Sequence, residues 1–333
     1  MSRETHDKRL QSLKHWLQND LGLEIIDFRR ASEDASFRRY FRVLHPQGQH
    51  IVMDAPPTRE NIRSFIDIAA ILKQTGIHSP DILAYNLTEG FMLLEDLGQI
   101  SFFDQLTTKT AETLYQTAFD CLFKLHSQLP TTHLSLPAYD AALLQKELDI
   151  FYHWFAECHC GVPIPSTIQQ QLNACLIHSA LEQPVFFVHR DFHCRNLMVV
   201  PENSPGVIDF QDAVTGPVTY DLVSLLRDCY LQWPEEQVAD WLNHYYQRLL
   251  SAGLIQTSAS QFKRWFDLMG LQRHLKAIGI FARLHYRDNK PSYLADIPRT
   301  LRYIRAVSKC YPELAEFDQF LTETLLPHFP EPL

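Results

Sequence analysis

The sequence lacks a basic surplus. Its 333 residues carry 30 Lys and Arg against 39 Asp and Glu, a formal charge of −9. Nucleic-acid binding and adhesion to anionic membranes leave a basic footprint, so neither partner is expected, and any phosphate site must be local. No stretch approaches the roughly 18 uncharged apolar residues of a membrane span. The start, MSRETHDKRLQSLKHW, has no apolar core of signal-peptide type, so the expected localisation is cytoplasmic. Seven cysteines, an odd number scattered along the chain, read as reduced thiols rather than a disulfide framework. Cys158-His159-Cys160 has no second ligand pair at zinc spacing, so structural packing is the favoured reading there. Internal repeats and low-complexity segments are absent, and a monomer is expected.

What is present is apolar material, 46% of the chain, enough for the cores of two lobes. Leu10, Leu13, Leu17 and Leu21 predict a helix from Asp7 to Asp20 that stops at Gly22. Three β-prone runs follow, EIIDFRR, SFRRYFRVL and QHIVMDA, the last two joined by the turn-like HPQGQ. A helix with Thr58 as N-cap and Gly76 as stop then leads to a second hairpin, DILAYN and GFMLLE. Beyond Phe102 helical patterns dominate, as in 114–126, 142–155 and much of 219–326. The expected fold class is α+β, a small antiparallel-sheet lobe with one helix followed by a larger, mainly helical lobe.

The exception in the second half is FVHRDFHCRNLMVVPENSPGVIDF, residues 187–210, where two strand-like runs each end on an aspartate. Buried carboxylates are costly unless something binds them. His189-Arg190-Asp191 and Asn196 give H-R-D-x-x-x-x-N, and Asp209 ends the second run. A carboxylate and an amide on one loop, with a second carboxylate returned by a hairpin, make an oxygen-rich pocket suited to Mg²⁺. Asn196 and Asp209 are the metal candidates, leaving Asp191 to accept a proton from a substrate hydroxyl, as in kinase phosphoryl transfer. Acidic caps on a surface hairpin are the bland alternative. A protein kinase is disfavoured: Asp209 is followed by Phe210-Gln211 rather than Phe-Gly, and no Ala-Pro-Glu closes an activation segment.

On these motifs the chain resembles the aminoglycoside phosphotransferase and choline kinase family, which has a protein-kinase-like bilobal fold. The segments ASFRRYFRV, VMDAPP, MLLEDLG, HRDFHCRNLM, IDFQDA and LQRHLKAIGIFARL are similar, more narrowly, to the bacterial anomeric kinases of N-acetylmuramate and N-acetylglucosamine. The resemblance implies a nucleotide-binding lobe at 1–95, a hinge at 96–100 and a helical lobe with catalytic loop and acceptor site at 101–333. It makes Asp191 the catalytic base, Asn196 and Asp209 the metal ligands, and Glu95-Asp96-Leu97 the segment meeting adenine. Asp221 braces the catalytic loop in this reading. The implied activity is ATP- and Mg²⁺-dependent phosphorylation of the anomeric sugar hydroxyl in peptidoglycan recycling. A kinase for an aminoglycoside, choline or another sugar stands as an alternative, as does a nucleotide-binding pseudokinase regulator.

Two departures stand out. RRASEDASFRRY, residues 29–40, has no glycine where a glycine-rich phosphate loop is expected, and Met53-Asp54 occupy the place of the phosphate-binding lysine. Ser32 and Ser36 at the loop and the forked guanidinium groups of Arg38 and Arg39 are candidate replacements, though alternation puts Arg38 and Arg42 opposite Arg39 and some form a solvated strand face. Arg195 is a further candidate for the transferring phosphate, a lobe salt bridge being its alternative reading. For the acceptor the candidates are His193, Asp212, His274, Arg283 and Tyr286. Arg273, Lys276 and Arg283 share helical spacing, a cationic face that suits a neutral or anionic acceptor or is merely solvated.

Overall fold

The computed structural model describes residues 7–32, 37–129 and 135–329, with Ser32 described by its backbone alone. Helix α1 (Lys8–His15) is capped by the Asp7 carboxylate and continues as a π-type turn to Asp20; Gly22, at φ +67°, closes it. Strands β1 (Asp27–Ser32), β2 (Arg39–His45) and β3 (Gly48–Asp54) follow, then helix α2 (Ile62–Gln74), β4 (Ile82–Asn86) and β5 (Phe91–Glu95). Thr58 is not the cap of α2: Asn61 Oδ1 accepts from Arg63 N at 2.9 Å, one turn later than expected. The rest is helical but for short strands: α3 (Phe102–Gln105), α4 (Ala111–Gln128), α5 (Ala141–Ile150), α6 (Ser166–Leu181), β6 (Val185–Val188), β7 (Leu197–Met198), β8 (Gly206–Val207), β9 (Val214–Pro217) and α7 (Tyr220–Leu226). Helices α8 (Glu235–Ser251), α9 (Ala259–Tyr286), α10 (Ile297–Ser308) and α11 (Ala315–Phe320) complete the described chain, and the fold is α+β.

The chain forms two compact units, residues 1–100 with 198–211, and residues 101–197 with 212–333. The segment carrying β8 and Asp209 thus belongs with the first hundred residues, although it lies deep in the second half of the sequence. Its tie is local: Val207 N donates to His78 O at 2.7 Å, and Leu97 packs with Met198 and Val200.

In the first unit the antiparallel sheet runs β1-β2-β3-β5-β4. Helix α1 packs Leu10, Leu13, Trp16 and Leu17 on Phe41, Val43, Val52, Phe91 and Leu93. Strand alternation therefore puts Arg39, Asp54 and Phe91, which are aligned across the sheet, on the α1 face, and Tyr40, Met53 and Met92 on the other. Asp54 is fully buried, and two guanidinium groups offset its desolvation: Arg9 of α1 through Nε at 3.0 Å, and Arg39 through Nε at 2.9 Å. Arg39 also pairs with Asp7, which holds that carboxyl below its usual range. Asp54→Ala is expected to cost about 2 kcal/mol, less than a fully buried pair because both arginines keep some solvent. Urea unfolding of the variant measures this; an unchanged midpoint would refute the clamp.

The second unit is organised on the long helix α9, whose buried face meets α5, α6, α7 and α10. Gly279 permits the closest approach: a Cβ there would sit 2.7 Å from Phe151 N and 2.8 Å from Ile150 O. That backbone contact seats α9 against the end of α5, and the next inward turn brings Lys276 to Glu147 at 3.2 Å.

Candidate active site

Strand β6 is apolar because it lies inside the second unit, and it delivers the loop His189–Asn196 at its end. The fully buried Asp221 of α7 receives the His189 and Arg190 N–H groups at 2.6 and 3.0 Å. Arg190 adopts φ +76°, an uncommon left-handed conformation for a non-glycine residue, and these bonds hold it. Its side chain is fixed as well, with Nη2 on Glu147 Oε1 at 2.6 Å. Asn196 Nδ2 closes the loop on the Asp191 carbonyl at 3.0 Å. Burial pushes the Asp221 carboxyl up to about 7, against its two backbone donors.

Asp191 is half-buried at the turn. Burial opposes its ionisation, but Lys276, His193, Arg273 and Arg190 overcome this and hold the carboxyl down at about 2. At neutral pH it is a carboxylate able to accept a proton. Lys276 donates to the Tyr220 hydroxyl at 3.0 Å and shares Glu147 with Arg190; the Tyr139 hydroxyl also bonds that carboxylate. The sequence names Lys276 and Arg273 only as members of a helix face. Glu147, 44 residues before Asp191, carries no local signal at all.

Arg195 is solvent-exposed, yet its guanidinium carbon lies 3.6 Å from the Tyr230 ring centroid and 4.9 Å from that of Phe103. No carboxylate salt bridge to the lobe is needed to hold it. His193 is buried, meets Tyr230 edge-on at 5.3 Å, and is kept neutral-leaning first by burial. Asp212 is exposed, and its carbonyl oxygen accepts from Arg190 Nη1 at 3.5 Å.

Of the remaining acceptor candidates, His274 requires correction. His274 is fully buried, its Nε2 is 2.8 Å from Arg227 O, its ring stacks on Tyr303 at 4.9 Å, and burial drives its pKa to about 3. It is a core histidine. Arg283 is ten residues along α9 from Arg273, about 15 Å at the helical rise, and Tyr286 lies further still, beside His159 at 3.1 Å. Arg273 and Lys276, not Arg283, are the members of that helix face whose charge acts on Asp191. Cys160 packs in the helical core next to that histidine, and among the described residues no three His, Cys, Asp or Glu side chains group as a metal site.

In the first unit Asp209 has φ +64° and accepts from Gln211 Nε2 at 2.7 Å, while Phe210 is buried against Phe65 of α2, centroids 4.6 Å apart. Met53 is fully buried. Arg38 pairs with Glu60 at 2.7 Å. Arg39, a phosphate candidate from the sequence, lies instead on the α1 face, where Asp54 and Asp7 occupy it. Ser36 lies outside the described residues. Asp96 is gripped by Arg42 at 2.6 and 2.9 Å, and the same arginine reaches Gly98 O at 2.8 Å. Burial raises the Asp96 carboxyl, but Arg42, Gln49 and the Gly98 N–H bring it below its usual range. Glu95 accepts from Asp81 N at 3.1 Å, and Leu97 is buried. The segment after β5 is therefore held by a buried ion pair invisible to motif reading.

A five-stranded antiparallel sheet with two helices, a helical unit and a braced His-Arg-Asp loop define a phosphotransferase of protein-kinase-like bilobal fold. The profile of the Phosphotransferase enzyme family matches residues 27–255, and the chain belongs to that family. A protein of Pseudomonas aeruginosa named N-acetylmuramate/N-acetylglucosamine kinase is 44% identical over 95% of this chain and 96% of its own. One of the same name from Neisseria meningitidis is 39% identical over 95% and 96%. Among solved structures, a choline kinase from Streptococcus pneumoniae has a TM-score of 0.64 at 12% identity, covering 90% of this chain and 100% of that one. An ADP-bound aminoglycoside phosphotransferase has a TM-score of 0.58 at 14% identity, covering 88% and 97%. At such identities these two likenesses concern the fold alone.

Proposed function

We propose that the protein transfers the γ-phosphate of ATP, with Mg²⁺, to the anomeric hydroxyl of N-acetylmuramate or N-acetylglucosamine, a step of peptidoglycan recycling. The observation that carries this reading is the 44% identity, along 95% of the chain, to a kinase named for those two sugars. Asp191 accepts the hydroxyl proton, and Arg195 meets the transferring phosphate. Asn196 Oδ1 and the Asp209 carboxylate are hard oxygen donors, a set that fits magnesium, which takes one or two protein ligands and completes its shell with water and phosphate. Bound there, the ion would neutralise charge on the phosphates. Met53 and the Glu95–Leu97 segment serve the nucleotide base. We place the protein in the cytoplasm as a monomer whose partners are nucleotide and sugar.

The cationic neighbourhood of Asp191, with Lys276 and Arg273 on α9, favours a neutral or anionic acceptor over a polycationic aminoglycoside. MgATP with N-acetylmuramate, N-acetylglucosamine or kanamycin is the test, read by product mass and by loss of the reducing end. Singly phosphorylated, non-reducing sugars are expected and no kanamycin product. Phosphate at another hydroxyl, or on kanamycin alone, would overturn the assignment.

A further inference from the structure

We propose that Tyr230 is a positioning residue for phosphoryl transfer, its ring face fixing Arg195 in the loop that carries Asp191. The inference rests on the kinase reading above. Three observations support it. Asp228, fully buried, takes the Tyr230 N–H at 2.9 Å with one carboxylate oxygen and the Cys194 N–H at 3.0 Å with the other, so the tyrosine and the loop are clamped to one group. The Arg195 guanidinium lies over the Tyr230 ring at 3.6 Å and over the Phe103 ring at 4.9 Å. Phe103 is itself tied to the loop, its N–H donating to Cys194 O at 3.0 Å.

The chemistry follows from the shape of arginine. A guanidinium stacked on an aromatic ring uses its flat face, and its five N–H donors remain in the plane, where they suit phosphate oxygens. An exposed arginine otherwise samples many rotamers and must lose that freedom in the transition state. Here the ring removes it beforehand. Tyr230 thus acts through Arg195.

The test is a double-mutant cycle of Arg195→Ala and Tyr230→Leu, read as kcat and KM for MgATP and N-acetylmuramate, and in parallel on acceptor-free hydrolysis of MgATP. Tyr230→Leu is expected to lower kcat about tenfold, the rate equivalent of a partly desolvated cation–π contact, with both KM values changed less than about twofold. In the Arg195→Ala background it should cost nothing more. Tyr230→Phe, which keeps the π face, should recover most of the lost turnover. Should Tyr230→Leu melt far below wild type, progressive fluorination of the ring in Tyr230→Phe weakens its negative face at nearly constant shape. Turnover should then fall with fluorine number only when Arg195 is present.

An equal loss in the Arg195→Ala background, a Phe variant as impaired as Leu, or indifference to fluorination would overturn the proposal. A wild type that hydrolyses MgATP but leaves N-acetylmuramate unphosphorylated would instead sink the acceptor assignment, and the cycle on hydrolysis would still decide Tyr230.

Discussion

Asp191→Ala is expected to lower kcat for sugar phosphorylation by about 10²- to 10⁴-fold, the usual range for loss of a general base. MgATP affinity and the melting temperature should stay close to wild type. The first expectation follows from position: Asp191 stands at the end of β6 as an ionised carboxylate at neutral pH, held so against burial by Lys276, His193, Arg273 and Arg190. The second follows from what those cations retain. Removing Asp191 does not orphan Lys276 or Arg190, because both keep Glu147, and Arg190 N keeps Asp221. Asp191→Asn should be nearly as impaired, since the amide preserves shape but accepts no proton. Steady-state kinetics with isothermal titration of the nucleotide separates the two effects. Turnover within a few-fold of wild type in either variant would remove Asp191 from the base role.

The contrast between Asp191 and its supports explains what the sequence made legible. H-R-D-x-x-x-x-N reads directly because its members share one loop, and alternation along β-prone runs gave the five strands and their hairpins. Asp54 reads as an anomaly, an acid where a lysine is usual, because its meaning depends on which face it points to. The answer lies in Arg9, 45 residues earlier, and Arg39, 15 earlier, on the face covered by α1. The same reason hides Arg42 on Asp96, Glu147 on Arg190 and Tyr230 under Arg195. Each pair joins residues from separate elements, and one member of each, Arg42, Glu147 or Tyr230, has no spacing that singles it out as a partner. His274 was misleading in the opposite sense: polar and next to the informative Arg273, it faces the core, one residue of rotation changing a site candidate into a packed ring. Boundaries drifted for a local reason, since Asn61 offers a better-placed cap oxygen than Thr58.

Glu147→Ala should have the largest effect on stability, about 3–5 kcal/mol, the usual cost of removing one partner from a buried ion pair. Glu147 is 2% exposed and accepts from Arg190, Lys276 and the Tyr139 hydroxyl. Without it two cations and a hydroxyl face one another in the interior. A variant that also replaces Lys276 by Met should recover part of the loss, because one orphaned charge goes with the carboxylate. The pH dependence has a definite sign. Burial raises the Glu147 carboxyl, but Lys276, Arg190 and Tyr139 bring it below its usual value, so its folded pKa lies under the unfolded one, about 4.3. Its contribution is then complete above pH ~4.3 and disappears as pH falls through the folded value. The stability difference between wild type and Glu147→Gln should therefore be flat near neutrality and shrink on acidification. Urea unfolding across a pH series measures that difference directly. A gap that widened as pH fell would mean that the glutamate is protonated in the native state and that Arg190 is held by something else.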